Sequence, residues 1–497
     1  MSQAPANFGK WRAFFWPIHS YELKKLMPML LMFFFISFNY SVLRNAKDAL
    51  VVTAPGGGAE VLPFLKFWGV IPAAVIFMLI YSKLSNILSK ENLFYATIVP
   101  FLVFFALFAT VLYPNKDALH PHIWASDLQA EYPKLLGLIG IARNWTYSLF
   151  YIMSELWGSV ALSLLFWGFA NDITKINESK RFYALFGLGA NVSLIFAGQA
   201  TQFLAKMQKN AAPGIDAWQL PLNYMTAVVT VFGFVIIAIY YWMNRVVLTD
   251  PRYYDVTEVK KAKKDKPKMS LSESFGFLAR SRHLLCIAVI VIAYGISINL
   301  IEVTWKSQLK LQFPETNDYF NFMGQVSQYT GWATLFLILF VANNVMRTFG
   351  WGIAALMTPV ILLVTGIVFF AFVIFKGTFE PLALDWGTTT LWIAIIFGAI
   401  QNVVSKSFKY SLFDPTKEMA YIPLDQESKV KGKAAIDVVG SRLGKAGGSL
   451  IQQGLIGAFG TLTACTPHIA GILFFIIAAW IWAARNLNRS LIALNAK

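Results

Sequence analysis

The sequence has few charged residues for its length. Only 14% of its 497 residues are Asp, Glu, Lys or Arg, against about 25% in an average soluble protein. In contrast, 57% are hydrophobic and 16% are aromatic. Apolar runs of about 20 residues recur from end to end, each long enough to cross the hydrocarbon core of a bilayer as a helix. The composition excludes a soluble multidomain protein and predicts a polytopic membrane protein.

The sequence also lacks the residue patterns of catalytic and metal sites. Its two cysteines, Cys286 and Cys465, lie in apolar segments and have neither a disulfide pattern nor zinc-ligand spacing. His120 and His122 lie in a predicted extracytoplasmic loop without further ligands near them, so we expect them to be solvated. A membrane glycosyl- or phosphotransferase would need a metal-holding carboxylate cluster or a catalytic loop. We therefore predict a protein that is not an enzyme and has no catalytic residue, metal or cofactor.

A nucleotide-binding P-loop is missing as well, although residues 438–453, VVGSRLGKAGGSLIQQ, look like a damaged one. That motif needs G-x-x-x-x-G-K followed by Ser or Thr, so that backbone amides cradle phosphates and the hydroxyl holds Mg²⁺. Here Gly440 and Gly444 stand one residue too close together, and Lys445 is followed by Ala446, which has no hydroxyl. Any phosphate site in this stretch must therefore be of another kind.

Hydropathy predicts about twelve membrane-spanning helices. They lie near residues 26–46, 63–84, 93–113, 136–168, 183–205, 222–244, 284–305, 322–342, 352–375, 387–411, 434–457 and 468–486. The fourth is long enough to contain a tilt or a break. We expect an N-terminal six-helix bundle over 1–245, a basic cytoplasmic linker over 246–282 and a C-terminal six-helix bundle over 283–497.

The net charge of +16 predicts the orientation in the membrane. Residues 244–282 carry ten Lys or Arg against five acidic residues. With twelve spans, this loop and both termini share one side, which is cytoplasmic by the positive-inside rule. The loop could instead contact RNA or anionic lipid, but a topology signal is the simpler interpretation, so we expect no nucleic-acid partner.

The N-terminal leader, residues 1–25, lacks a signal-peptide cleavage pattern and is short for a transit peptide. It therefore favours a location in a bacterial inner membrane, with the lipid bilayer around the spans.

The two halves of the sequence resemble each other. ISFN at 36–39 corresponds to ISIN at 296–299, and NESKRF at 177–182 corresponds to QESKVK at 426–431. Both pairs occur in the same order, at corresponding places and about half the chain apart. The predicted fold is therefore an all-α membrane protein of two parallel six-helix repeats, like the major-facilitator-type transporters, whose substrate site lies between the halves.

Several spans carry charged side chains, each of which costs at least about 2.5–3.5 kcal/mol at the centre of a bilayer. A Lys or Arg near a span end can instead snorkel to the interface. In the eleventh span, helical spacing separates a glycine face from a polar face with Arg442 and Lys445, and two cations on one polar face predict a wet cavity. The first, fourth, seventh and tenth spans add candidate substrate-binding residues on polar faces, namely Arg44, Lys47, Arg143, Tyr151, Glu155, Asn299, Glu302, Lys306 and Lys406.

These charged faces predict the class of substrate. They fall on spans that line the central cavity in a major-facilitator arrangement, and only Asp48, Glu155 and Glu302 offset the cations. A net cationic cavity suits a multiply charged anion. Tyr151 could stack on a flat ring, although aromatic residues in spans more often serve packing or interface anchoring.

Four segments carry a resemblance to a known family. They are LRNAKDALVVTAP at 43–55, ELWGSVALSLLFWGFANDITKINESKRFYALFG at 155–187, IAYGISINLIEVTWKSQLK at 292–310 and KYSLFDPTKEMAYIPLDQESKVKGKAAIDVVGSRLGKAGGS at 409–449. With them the chain closely resembles, over nearly its whole length, the ATP/ADP translocases of obligate intracellular bacteria and plastids. The mitochondrial ADP/ATP carrier is unrelated, and its threefold P-x-[DE]-x-x-[KR] motif is missing here.

The resemblance implies exchange of host ATP for bacterial ADP and phosphate, by a protein that we expect to act as a monomer. It also implies that Lys47, Glu155, Glu302 and Lys445 matter for transport. We expect these two lysines, with Arg44, Arg442 and Lys406, to hold phosphates, while the two glutamates neutralise the cations of the empty site. An alternative stays open, because some members of the family take up several nucleotides with protons or exchange guanine nucleotides or NAD.

Overall fold

The computed structural model describes residues 18–207, 216–250, 253, 281–424, 432, 433, 436 and 440–495. Within these ranges the side chains of nine residues lie outside the description. They are Ile176, Asn177, Lys180, Asn343, Ser441, Arg442, Lys445, Leu494 and Asn495. Most of the predicted linker over 246–282 lies outside the described residues, so the predicted domain boundaries stay a prediction.

The described part of the chain contains twelve long helices. These are α1 Ser20–Thr53, α2 Val61–Ile87, α3 Lys90–Leu112, α4 Trp145–Ile173, α5 Ile176–Lys206, α6 Gln219–Val247, α7 Arg282–Gln312, α8 Thr316–Ala342, α9 Asn344–Ile374, α10 Thr390–Ala420, α11 Ser441–Phe459 and α12 Leu462–Ala493. All except α11 are long and apolar enough to cross a membrane, and α11 is the helix with the polar face. Eleven of the twelve predicted spans are confirmed by length and composition, and the eleventh predicted span forms the helix α11.

The predicted fourth span is broken, as its length indicated. A short helix, Leu136–Arg143, ends at Asn144, whose φ of −112° and ψ of 49° are not helical, and α4 begins at Trp145.

The expectation that His120 is solvated is wrong. Its side chain is buried and its Nε2 lies 2.7 Å from Oγ1 of Thr146. Burial lowers the pKa of His120 to about 4, so the ring is neutral at physiological pH and packs as part of the fold.

The helices of the two halves pack in corresponding ways. In the first half α1 packs against α4, α5 and α6, and in the second half α7 packs against α10, α11 and α12. Each helix of the first set corresponds to one of the second by a shift of six helices. The halves meet mainly where α8 packs along α5 and α1 and where α2 contacts α11. This arrangement is the parallel repeat that the sequence predicts.

Glycines provide the closest approaches between helices. A Cβ on Gly444 of α11 would lie 3.1 Å from the Gly295 Cα and 3.1 Å from the Ile292 carbonyl oxygen, both in α7. A Cβ on Gly198 of α5 would lie 2.6 Å from the Gly324 carbonyl oxygen of α8. Because backbone meets backbone at both places, no larger residue fits there without moving a helix. The predicted glycine face of α11 is thus a packing face against α7.

The described hydrogen bonds between the halves all lie toward one end of the bundle, at which α1 and α7 finish. Thr53 bonds Thr316 at 2.7 Å, and the Lys310 ammonium donates to the Gly57 carbonyl oxygen at 2.5 Å. We call this end the closed end. Toward the opposite end, where α1 and α7 begin, the described contacts include Lys25 with Glu178 and His283 with the Ala420 carbonyl oxygen, each within one half, and we call this the open end.

Replacing Gly444 with Leu should lower the stability of the fold. The new side chain would meet α7 backbone at 3.1 Å, and overpacking of this kind costs about 1–3 kcal/mol. We expect a lower midpoint of thermal unfolding for Gly444→Leu in detergent. The matched control is Gly457→Ala on the same helix, where a Cβ meets nothing within 4 Å. An unchanged midpoint for Gly444→Leu would contradict the packing described here.

Candidate substrate site

Charged side chains from both halves meet between the helices. We call this group the charge cluster. Its described members are Arg44, Lys47, Asp48, Lys66, Glu155, Glu302, Lys306 and Lys406. They come from α1, α2, α4, α7 and α10, so the folding of both repeats is needed to assemble the cluster.

Lys47 of α1 is the most enclosed cation that the first half contributes to the charge cluster. Its ammonium lies 2.9 Å from Asp48 Oδ1 and 3.0 Å from Glu155 Oε1 of α4. It also lies 3.8 Å from the centre of the Tyr151 ring, a cation–π distance. The face of Tyr151 that was expected to be available to a flat ring is therefore covered by Lys47 in this conformation.

Glu302 of α7 is shared by three cations. Its Oε1 lies 3.1 Å from Arg44, 3.3 Å from Lys306 and 3.5 Å from Lys406. The Lys306 contact is the i, i+4 pair expected on one helix face, and Arg44 reaches Glu302 from the other half of the molecule. One carboxylate thus balances cations from α1, α7 and α10.

Asp48 joins the halves at the bottom of the cluster. Its second oxygen, Oδ2, lies 2.8 Å from the Lys306 ammonium, while Oδ1 faces Lys47. Asp48 is fully buried, and each lysine is 2% exposed. Breaking a buried pair by removing one partner leaves an uncompensated charge and costs about 3–5 kcal/mol.

The members of the cluster differ in their exposure. Arg44 is 32% exposed, Glu155 25% and Lys406 17%, whereas Lys47, Asp48 and Lys306 are nearly inaccessible. Along α1 and α7 the buried members lie closer to the closed end than Arg44 and Glu302 do. The cluster is therefore more enclosed toward the closed end.

The described members of the cluster carry a net positive charge. Five are cations (Arg44, Lys47, Lys66, Lys306 and Lys406) and three are carboxylates (Asp48, Glu155 and Glu302). A ligand with several negative charges would restore the balance. The donors are guanidinium and ammonium groups, which suit phosphate oxygens. Within the described residues, no group of three or more His, Cys, Asp and Glu could hold a metal ion.

The structure brings most of the predicted site residues together and places the others elsewhere. Those brought together are Arg44, Lys47, Tyr151, Glu155, Asn299, Glu302, Lys306 and Lys406. The Arg143 guanidinium instead donates to Ser126 Oγ at 3.1 Å, because the break at Asn144 separates its short helix from α4. The side chains of Arg442 and Lys445 lie outside the described residues, so their contribution stays a prediction.

Two cluster members were not among the predicted site residues. The sequence indicates Asp48 only as a negative charge that partly neutralises the cations. It does not show that Asp48 pairs with Lys306 of the other half. Lys66 was missed altogether. It is the one Lys, Arg, Asp or Glu between Glu60 and Lys83, and the high cost of an isolated charge within a span could have indicated it.

Removing the Asp48 carboxylate should destabilise the protein strongly. Asp48→Asn leaves Lys47 and Lys306 facing a neutral amide, and we expect a loss of about 3–5 kcal/mol, measured as a lower midpoint of thermal unfolding in detergent. Adding Lys306→Met should cost less than the sum of the two single changes, since one stranded charge is then gone. The control is Lys90→Gln, which breaks the exposed ion pair with Asp172 and should cost less than about 1 kcal/mol. Additive losses would contradict the coupling.

Comparisons with solved structures support the fold. A bacterial homologue of the iron transporter ferroportin, crystallised in an inward-facing state, superposes with a TM-score of 0.56 at 14% identity and covers 95% of this chain and 99% of its own. A D-xylose–proton symporter also gives 0.56 at 14% identity, over 94% of this chain and 97% of its own. At such identity the likeness concerns the fold alone, which is of the major-facilitator type.

Comparisons of sequence go further. ADP,ATP carrier protein 1 of Chlamydia pneumoniae is 59% identical to this chain over 98% of it and 95% of the relative. The chloroplastic ADP,ATP carrier protein 1 of Arabidopsis thaliana is 51% identical over 94% of this chain and 74% of its own, and ADP,ATP carrier protein 1 of Rickettsia bellii is 45% identical over 96% and 95%. The model of the TLC ATP/ADP transporter family matches residues 1–491. The chain belongs to the TLC ATP/ADP transporter family.

Proposed function

We propose that this protein is an antiporter that exchanges ATP for ADP by alternating access. The observation that carries the proposal is the charge cluster, a net cationic group between two six-helix halves whose members are partly exposed at Arg44 and buried at Asp48 and Lys306. The names of the relatives, ADP,ATP carrier proteins at up to 59% identity, support this choice of substrates. Release of ATP unhydrolysed is the corresponding expectation for a carrier.

The cations hold the phosphates. Arg44 supplies a guanidinium fork for bidentate contacts, and Lys306 and Lys406 supply ammonium point charges. All three share Glu302 in the empty site. Lys47 adds a deeper charge, and Arg442 and Lys445 extend the set if the predicted polar face of α11 points inward.

Exchange is obligatory because the empty site carries a net charge that the loaded site does not. In the empty protein the carboxylates of Glu155 and Glu302 form ion pairs with the cations, and the nucleotide phosphates replace these carboxylates on binding. The described cluster then passes from a net positive to a compensated state. Rearranging the unloaded site inside the membrane exposes unbalanced charge to a low-dielectric medium, which is costly. A loaded site avoids that cost in both directions.

Alternation requires the closed end to separate. The bonds that must break include the Asp48–Lys306 ion pair, the Thr53–Thr316 hydrogen bond and the Lys310 contact with Gly57. Phosphates that bind Lys306 weaken its bond with Asp48, because the ammonium is then shared. Substrate binding thereby lowers the cost of opening this end.

The orientation that we propose places both termini in the cytoplasm of a bacterium, in its inner membrane. The open end of the described conformation then faces the cytoplasm. External ATP of a host enters from the opposite side, and internal ADP leaves together with phosphate. The protein acts as a monomer, since the charge cluster is built from one chain.

The proposal is tested with purified protein in liposomes preloaded with ADP. We expect uptake of labelled ATP that depends on internal ADP, and recovery of the label as intact ATP inside. A nucleotide panel should show competition by ATP and ADP. Liposomes without internal nucleotide are the control. Equal uptake into empty liposomes, uptake that needs a proton gradient, or hydrolysed product would contradict ATP/ADP exchange.

Glu302→Gln should separate binding from turnover. The neutral amide no longer competes with phosphates for three cations, so we expect ATP to bind about tenfold more tightly. The maximal exchange rate should fall by a similar factor, since the carboxylate is then missing when product must leave.

Equilibrium binding in detergent and initial rates in ADP-loaded liposomes measure these two effects of Glu302→Gln. Glu418→Gln is the control, because Glu418 is a partly exposed carboxylate that pairs with Lys433 and Lys417 away from the cluster. Weaker ATP binding with Glu302→Gln would contradict the displacement mechanism.

A further inference from the structure

Lys66 differs from the other cations of the charge cluster in its partner. Its ammonium donates to the Asn299 side-chain oxygen at 2.6 Å. Each of the other four cations lies within 3.5 Å of a carboxylate oxygen. Among the described residues, the recorded hydrogen-bond partner of Lys66 is this neutral amide. Lys66 is therefore the one described cation of the cluster that hydrogen-bonds a neutral group and forms no ion pair.

No described carboxylate forms an ion pair with Lys66. Asp48 pairs with two lysines, Glu302 with three cations and Glu155 with Lys47. Lys66 lies within electrostatic range of the carboxylates of Glu302 and Asp48, and also of the ammonium groups of Lys306 and Lys47, which repel it. A bound anion would give Lys66 the direct ion pair that the other cations of the cluster already have.

The surroundings of Lys66 hold it in a defined place. The Asn299 amide nitrogen donates to Ser449 Oγ at 2.9 Å, which fixes the amide so that its oxygen faces Lys66. A Cβ on Gly448 would lie 2.9 Å from the same amide nitrogen, so α11 packs directly against Asn299. The three side chains come from α2, α7 and α11, and thus from both halves of the molecule.

The chemistry of this group matches a single phosphate. An ammonium has three N–H donors, of which one is used on Asn299. The Ser449 hydroxyl and the Asn299 amide, which hydrogen-bond each other beside Lys66, are groups of the kind that bind phosphate oxygens once such a bond is exchanged. The set is too small for a whole polyphosphate chain, for which Arg44, Lys306 and Lys406 are available nearby.

We infer that Lys66, Asn299 and Ser449 form a separate subsite for one phosphate group within the charge cluster. The occupant is a phosphate dianion, either the terminal phosphate of a bound nucleotide or a free inorganic phosphate ion. The inference rests on the proposed function and adds to it a phosphate-binding group that includes Lys66 of α2. When a phosphate binds, it replaces the Asn299 oxygen as a partner of Lys66 and supplies the missing negative charge.

The test measures binding of ATP, ADP, AMP and inorganic phosphate to the full-length protein in detergent, for wild type, Lys66→Gln and Lys66→Arg. If the nucleotide's terminal phosphate is the occupant, Lys66→Gln weakens ATP binding about tenfold to a hundredfold and leaves AMP unchanged. If free phosphate is the occupant, nucleotide affinities stay the same and phosphate binding is lost. Lys66→Arg should retain most of the affinity in either case, because the charge is kept.

Lys83→Gln is the matched control, since Lys83 is an exposed cation on the same helix. A Lys66→Gln protein that folds, as judged by its thermal unfolding, and binds ATP, ADP and phosphate like wild type would overturn the subsite. Lys66 would then have only a structural role, the hydrogen bond to Asn299 that links α2 to α7. A wild-type protein that binds neither ATP nor ADP but loses phosphate binding with Lys66→Gln would contradict the proposed function and retain the subsite.

A second measurement needs no variant and therefore does not depend on folding of Lys66→Gln. Wild-type protein is treated with a small amine-acetylating reagent, and modification of each lysine is followed by mass spectrometry. Saturating ATP or inorganic phosphate should reduce modification of Lys66 severalfold and leave Lys83 unchanged. Protection of Lys406 without any protection of Lys66 by either ligand would overturn the inference.

Discussion

The buried carboxylate of Asp48 is the interaction on which the rest of the site depends. It forms ion pairs with Lys47 of its own helix, at 2.9 Å, and with Lys306 of the opposite half, at 2.8 Å. Without it, two ammonium groups would face each other in a region that water does not reach. Because its two oxygens point to different halves, the same residue that neutralises the cluster also holds the molecule shut at one end. Charge balance and conformation are therefore linked at a single side chain.

The sharing of Glu302 has a different physical effect. Three cations at 3.1, 3.3 and 3.5 Å cannot all be fully satisfied by one carboxylate. Each of them keeps part of its charge for another partner. The more exposed members, Arg44 and Lys406, are therefore the ones that an incoming anion meets first, and the more deeply placed lysines follow. A graded series of partly balanced cations attracts a polyphosphate without holding it irreversibly.

Much of this arrangement could be predicted from the sequence, because the cost of placing charge in a bilayer is large. That cost alone is enough to single out Lys47, Glu155 and Glu302, and hydropathy locates the twelve helices. Partnerships between the halves could not be predicted, since they depend on how two bundles pack.

Two residues illustrate this limit. In the sequence Asp48 is only a minor offset to the cations, and Arg143 is a neighbour of Glu155 on one predicted span. In the fold Asp48 reaches the other half, and the break at Asn144 separates Arg143 from Glu155. Helical spacing is reliable within one helix and gives no information across a break or an interface.

The contact between α5 and α8 has a consequence for motion. At Gly198 and Gly324 the two backbones approach each other directly, and a further close approach occurs where Gly331 meets the Asn191 carbonyl oxygen. Side chains pack beside these glycines, with Thr201 against Gly324 and Ile195 against Gly331, and Gln202 of α5 donates to the Gln328 side-chain oxygen of α8 at 2.7 Å. The contact is therefore close and also tied by side chains. A rocking movement of one half on the other either pivots about this contact or breaks the Gln202–Gln328 hydrogen bond.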